Sequence, residues 1–271
     1  MKSEKKIAID NQLIEMTDNL KLSGFAKKGL MMLLENEEVQ ICQEFANTVS
    51  IVRLGFNDHG PVHMRKVTQN AIIMLELLKN AGIKTTLEND NTGDFEDSLL
   101  AVIFSCMLHD IGMVMGRSNH EQHSTILSFP IIDKILSVIF ENNLQRRIIV
   151  RSVAMEGIAG HMGNIKVSSL EAGIVQVADG CDMTKGRARI PIAMANPPRV
   201  GHIHQYSANT IEEVNITKGD ELPIRIDIKM SNEAGLFQVE EVLMHKIAGS
   251  TAKKYIELYA TVMNNPEKRY L

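Results

Sequence analysis

The chain has 271 residues and a mass of 30.2 kDa, enough for one large domain or two small ones with a sizeable core. It is 44% hydrophobic and 23% charged, which excludes wholesale disorder, and its net charge of −4 excludes a general electrostatic footprint for nucleic acid or an acidic membrane. Apolar runs such as Leu99 to Leu108 read as too short to span a bilayer. The charged start Met1-Lys-Ser-Glu-Lys-Lys reads as no export signal. The cysteines Cys42, Cys106 and Cys181 form no CxxC, so a reducing cytoplasm is expected. Sixteen methionines and no tryptophan point to a core filled by flexible thioethers.

Helical spacing dominates the first 190 residues, including an N-terminal helical extension over 1–40. An amphipathic helix is predicted from Asn36 to Leu54. Pro61 reads as the first position of the next helix, which runs to Lys79 and stops at Ala81-Gly82. Its apolar stripe is Val67, Ala71, Met74 and Leu78, and His63 lies on the same stripe. Glu88 to Asp97 reads as a loop, and Ser98 to Leu108 as a buried central helix ending at His109-Asp110. Ser118-x-x-Glu121 reads as a capping box, with Pro130 interrupting or restarting the helix it opens. Leu144 to His161 carries Val150, Ala154, Ile158 and His161 on one stripe and ends at Gly163-Asn164. A second capping box, Ser168-x-x-Glu171, opens a helix whose stripe carries Val175, Asp179 and Asp182.

Pro191, Pro197 and Pro198 mark a linker, after which the pattern changes. Glu213 to Thr217 and Leu222 to Met230 read as strands joined at Lys218-Gly219-Asp220, Gly235 to Ala248 as a helix, and Lys254 to Val262 as a third strand. The expectation is a mainly α chain: a helical unit over 1–190, then a small α+β unit over 191–271. That last unit is expected to self-associate or to bind a regulator.

Six of the nine histidines lie between His59 and His161. His63, His109, Asp110, His161, Asp179 and Asp182 all fall on or at the end of apolar stripes of four successive helices. An unpaired charge in a core costs several kcal/mol or shifts its pKa until it is neutral. A shared divalent metal, which neutralises carboxylates and accepts imidazole lone pairs, accounts for all of them at once.

His63-Met-Arg-Lys-Val, then Cys-Met-Leu-His109-Asp110-Ile-Gly, then Gln-Val-Ala-Asp179-Gly-Cys-Asp182 resembles the HD superfamily of metal-dependent phosphohydrolases over roughly residues 40–190. The doublet alone is a weak signal. The doublet after a buried helix, with His63 upstream and Ala178-Asp179 downstream, is specific. The resemblance implies an HD-type helical bundle with a metal held by His63, His109, Asp110 and Asp179. His120 and His161 fall where many members carry two more ligands, which implies two ions sharing Asp110. Manganese, iron, magnesium, zinc, nickel and cobalt are not distinguished.

The function implied is hydrolysis of a phosphate mono- or diester, with a small-molecule nucleotide as substrate. Asp110, Asp182, Lys185 and Arg187 are the residues expected to carry the reaction beside the ions. Asp182 would orient a ligand imidazole or bond a substrate-side lysine or arginine, and Lys185 and Arg187 would bind phosphate oxygens. Arg65 and Arg117 are weaker candidates for that binding, with Arg189 further along the same basic segment. His59 suits a helix start better than a ligand, and His123 could face the site. His202, His204 and His245 lie outside the constellation. Two other readings remain: an HD-fold di-iron oxygenase with the same six ligands, and a non-catalytic nucleotide-sensing or interaction protein. No GxxxxGK[ST], GxGxxG or GxSxG is present, which argues against an NTPase, a dinucleotide enzyme and an α/β-hydrolase.

Overall fold

The structure, a computed structural model, describes residues 4–185 and 203–271. The chain is mainly helical with a small C-terminal sheet, as the sequence predicts. The helices are α1 (Glu4–Asn19), α2 (Phe25–Glu35), α3 (Glu37–Thr48), α4 (Pro61–Asn80), α5 (Thr86–Asn89), α6 (Phe95–Leu108), α7 (His120–Ile139), α8 (Leu144–Gly160) and α9 (Leu170–Cys181). After them come α10 (Ile203–Ala208), strands β1 (Ile211–Lys218) and β2 (Ile224–Met230), helix α11 (Met244–Gly249), and strands β3 (Ile256–Val262) and β4 (Lys268–Arg269). The linker prolines lie outside the described residues.

Helix α6 is the axis of the bundle. From Leu99 on it is apolar almost all round, every residue from Phe95 to Leu108 is buried, and α2, α4, α8 and α9 pack around it. By length and composition Phe95–Met115 is apolar enough to cross a bilayer, contrary to the sequence reading, but 89% of its most apolar window is buried inside the protein.

Three local expectations fail for identifiable reasons. The stretch 88–97 is not all loop. Thr85 with Glu88 and Asp94 with Asp97 form reciprocal capping boxes, so α5 forms and α6 begins at Phe95. Neither serine box forms as predicted. Helix α7 starts after Asn119 in the left-handed conformation (φ 55°), with no side-chain cap. Helix α9 is capped one residue later than predicted, by Ser169, whose hydroxyl accepts from the Ala172 amide at 3.1 Å. Glu171 turns inward to accept from the Ser98 hydroxyl at 2.7 Å and the Leu87 amide at 3.1 Å, tying α9 to α5 and α6. Pro130 does not break α7. A helix-interior proline costs about 3 kcal/mol, and burial of Ile131, Ile132, Ile135 and Leu136 on the following turns offsets it.

The sheet has the order β1-β2-β3-β4. β1 and β2 form an antiparallel pair, β2 and β3 are parallel with Ile224 opposite Ile256, and β3 and β4 are antiparallel. Ile224, Ile226, Ile228 and Met230 alternate inward on β2. A parallel pair needs a crossover. Here it is a helical segment with a π-helical stretch, Gln238–Leu243, running into α11, which packs against α9. The approach depends on Gly173 of α9: a Cβ there would lie 2.1 Å from the Thr251 hydroxyl. Arg65 is fully buried, donating to Asp10 on α1, to Gln43 on α3 at 2.9 Å and to the Pro61 carbonyl at 3.0 Å. It is a clamp between three helices, not the phosphate ligand that the sequence allowed.

Candidate metal centre

Five helix ends converge on one point. His63 lies in the first turn of α4, just after Pro61, whose fixed φ and missing amide suit that position. His109 and Asp110 follow the last turn of α6, His120 opens α7, His161 caps α8, and Asp179 lies in the last turn of α9. Gly112 lets the segment after the doublet approach α7, since a Cβ there would lie 2.1 Å from the His120 carbonyl oxygen.

Each imidazole is oriented through Nδ1. Those of His109, His120 and His161 face the carbonyls of Cys106 at 2.9 Å, Arg117 at 2.9 Å and Ile158 at 2.7 Å, each three residues back. For His109 and His161 these are last-turn carbonyls that helices leave unsatisfied. The Nδ1 of His63 donates to Asp182 at 2.7 Å. The protons therefore sit on Nδ1 and the Nε2 lone pairs point inward.

Those lone pairs meet each other. His63 Nε2 lies 3.2 Å from His109 Nε2, and His120 Nε2 lies 3.1 Å from His161 Nε2. Asp110 stands between the pairs. Its Oδ2 is 3.3 Å from both His63 and His109, and its Oδ1 is 3.2 Å from His120 and 3.5 Å from His161. Asp179 Oδ1 is 3.2 Å from His63 Nε2. Acceptors facing acceptors at these distances, buried from water, repel one another unless a cation lies among them. Three buried triads have ligand atoms within 4.8 Å of one another: His63-His109-Asp110, His109-His161-Asp179 and Asp110-His120-His161. These groups could hold a metal ion, and nitrogen and carboxylate donors suit a borderline divalent cation.

Burial pushes the Asp110 carboxyl up, and ring N–H groups of His109, His120 and His161 turned on it would hold it well below the usual carboxylate range; with Nε2 unprotonated, that stabilising role falls to a cation. Burial opposes ionisation of Asp179 too, and the Lys246 ammonium with His63 and His109 reverses it. Burial drives His161 down to about 4, so its ring is neutral at pH 7. Burial, reinforced by Asp179, pushes the Cys106 and Cys181 thiols up, so neither is a thiolate ligand.

Lys246 is the residue the sequence reading missed. It comes from α11, is 6% exposed, and donates to Asp179 Oδ2 and to the His161 carbonyl at 3.0 Å. A signal existed: Val239, Leu243 and Lys246 fall on one helical stripe, so Lys246 is a polar residue on an apolar face, just as His63 is. The helix that carries it walls a cavity of about 410 Å³ opening onto Asp110 and Asp179. Gln238, Glu241 and His245 line it from this side, so His245 belongs beside the site rather than outside it. His59 and Arg117 line the same cavity.

Other expected residues are not brought together. Lys185 forms a surface ion pair with Glu212, away from the cavity lining. His123 is outside the ligand groups, and its buried Nδ1 has no hydrogen-bond partner. Arg187, Arg189, His202 and the side chain of His204 lie outside the described residues.

No family model matches the chain, and no solved structure matches it. Over 241 residues it is 40% identical to uncharacterized protein MJ1020 of Methanocaldococcus jannaschii, covering 89% of this chain and 91% of that protein. An alignment of that length cannot be confined to the helical bundle or to the C-terminal unit, and on that similarity the chain belongs to the same family as MJ1020.

Proposed function

We propose that the chain is a metal-dependent phosphohydrolase of the HD superfamily that holds two divalent ions and cleaves a phosphate mono- or diester, with a nucleotide as substrate. One observation carries this reading. Four imidazoles with their Nδ1 atoms tied turn four Nε2 lone pairs toward the two oxygens of one buried carboxylate, Asp110. In this assignment His63, His109 and Asp179 hold one ion, His120 and His161 the other, and Asp110 is shared. Divalent ions in such a pair supply Lewis acidity and a hydroxide nucleophile at neutral pH.

The chain's own residues do the rest. Asp182 fixes the His63 tautomer, and backbone carbonyls fix the other three. Lys246 occupies Asp179 Oδ2, leaving Oδ1 to face the centre. The cavity of about 410 Å³ is large enough for a small phosphorylated molecule.

The test is elemental analysis and a phosphoester panel on protein loaded separately with manganese, iron, cobalt, nickel, zinc and magnesium. Two ions per chain and turnover of a phosphoester are expected. Asp110→Ala should lose both metal and turnover while keeping its helical circular dichroism, and full metal occupancy in that variant would sink the assignment. Iron-dependent dioxygen consumption with no phosphoester turnover would favour the oxygenase instead.

A further inference from the structure

Among the described residues, the cavity lining contains one lysine or arginine that the centre does not use. Lys246 is engaged by Asp179 and the His161 carbonyl. Arg117, in contrast, has only weak neutral partners: Nη1 lies 3.3 Å from His59 Nε2 and Nη2 lies 3.7 Å from Met162 Sδ. His59 Nδ1 faces the Asn57 carbonyl at 2.6 Å, which puts its proton there and leaves Nε2 as an acceptor for the guanidinium. No carboxylate lies within ion-pair distance of Arg117 among the described residues, whereas Arg65, Arg146, Arg151 and Arg225 are each paired with one. A guanidinium has five donors in a planar fork, and two weak contacts leave most of them for a ligand.

Its position gives the vacant donors a meaning. The Arg117 carbonyl holds His120, and the His59 ring that braces the guanidinium packs edge-on against His63 at 5.8 Å. Arg117 is thus anchored to ligands on both sides of Asp110 and faces the same cavity as that carboxylate. Glu241 in the same lining offers acceptors for hydroxyl or amino groups, and Phe56 and Met183 offer apolar contact.

We infer that Arg117, braced by His59, binds a second, non-reacting anionic group of the substrate. The substrate class is then a phosphate ester with two anionic groups, such as a diphosphate, one at the centre and one on the guanidinium. This rests on the reading of the centre as a phosphoester site, and it moves the phosphate-binding role from Lys185 to Arg117.

The experiment is calorimetric titration of manganese-loaded protein with orthophosphate and with pyrophosphate, with metal content measured before and after. Wild type should bind pyrophosphate at least about tenfold more tightly. A charge-assisted hydrogen bond is worth about a 10- to 100-fold change in affinity, so Arg117→Ala should lose pyrophosphate affinity on that scale. Its orthophosphate affinity should move less than about threefold and its metal content should stay unchanged; Arg117→Lys should recover only part of the loss. If Arg117→Ala loses metal or folds poorly, Arg117→Gln, which keeps the bulk and two donors, takes its place in the same comparison. Equal binding of the two anions by wild type, or equal losses for both in the variant, would overturn the inference. Turnover is not the readout. A preference for pyrophosphate that depends on Arg117, found together with no hydrolysis on the panel, would sink the hydrolase reading and leave the Arg117 site standing. Hydrolysis without the preference would do the opposite.

Discussion

Replacing Lys246 by methionine tests whether the C-terminal unit is energetically part of the metal centre. Methionine keeps an unbranched apolar stem of similar reach but removes the ammonium that donates to Asp179 Oδ2 and the His161 carbonyl. Asp179 is itself 7% exposed, so its carboxylate would be left buried with one oxygen unpartnered. Breaking a buried ion pair from one side costs about 3–5 kcal/mol. In a chain of this size each kcal/mol moves Tm by roughly 2–4 °C, so metal-free Lys246→Met should melt about 6–20 °C below metal-free wild type. A divalent ion at Asp179 neutralises the same carboxylate, so saturating manganese should shrink that gap to less than about half. Scanning fluorimetry of both proteins, after dialysis against chelator and again after loading, reads the two gaps. Circular dichroism checks that helix content is unchanged. The same Tm deficit with and without metal would mean that Lys246 serves packing alone. No deficit in the metal-free protein would refute the burial argument itself.

Asp182→Ala should weaken metal binding by about 10- to 100-fold, because His63 loses the acceptor that orients its ring; an unchanged metal Kd in a competitive chelator titration would contradict this. Arg65→Met should remove the buried guanidinium from Asp10 and Gln43 and cost about 3–5 kcal/mol by urea unfolding, with metal stoichiometry unaltered; a loss of metal at unchanged stability would return Arg65 to the site. The metal-free protein should lose stability as pH falls. The unfolded His161 takes its proton near 6.5 and the folded one only at about 4, so the unfolded state binds more protons across that window. The loss is on the order of 3 kcal/mol, complete below the folded value. Asp179, held low in the fold by the Lys246 ammonium, loses its stabilising effect as the pH falls further. A Tm that stays flat between pH 7 and 5, or a slope that His161→Asn leaves unaltered, would show that His161 is not shielded from water.

Much of this protein is legible in the residue order because helical periodicity is a local property. The Pro61 start of α4, the mostly apolar α6 and the His161 end of α8 follow from spacing, proline and glycine. The candidate ligands were legible for a related reason. Histidine and aspartate on apolar stripes are costly enough that they mark themselves, whatever the fold brings beside them. Capping was less legible. A serine followed three residues later by glutamate occurs at both 118 and 168, but α7 starts after Asn119 with no side-chain cap, and at 168 the glutamate found a stronger partner in Ser98 and the α5 amides.

What only tertiary structure decided is which cations face the site. Sequence proximity to Asp182 favoured Lys185, which the fold turns to Glu212 at the surface, and proximity to His63 favoured Arg65, which the fold spends on Asp10. Lys246 and Arg117 lie 67 and 7 residues from the nearest carboxylate of the ligand group, yet both line the cavity. The local pattern reports which side of a helix is buried. Which charges meet there depends on how helices pack across the chain, here on Gly173 letting Thr251 and the C-terminal unit close against α9, and that pairing is a property of distance in space rather than along the sequence.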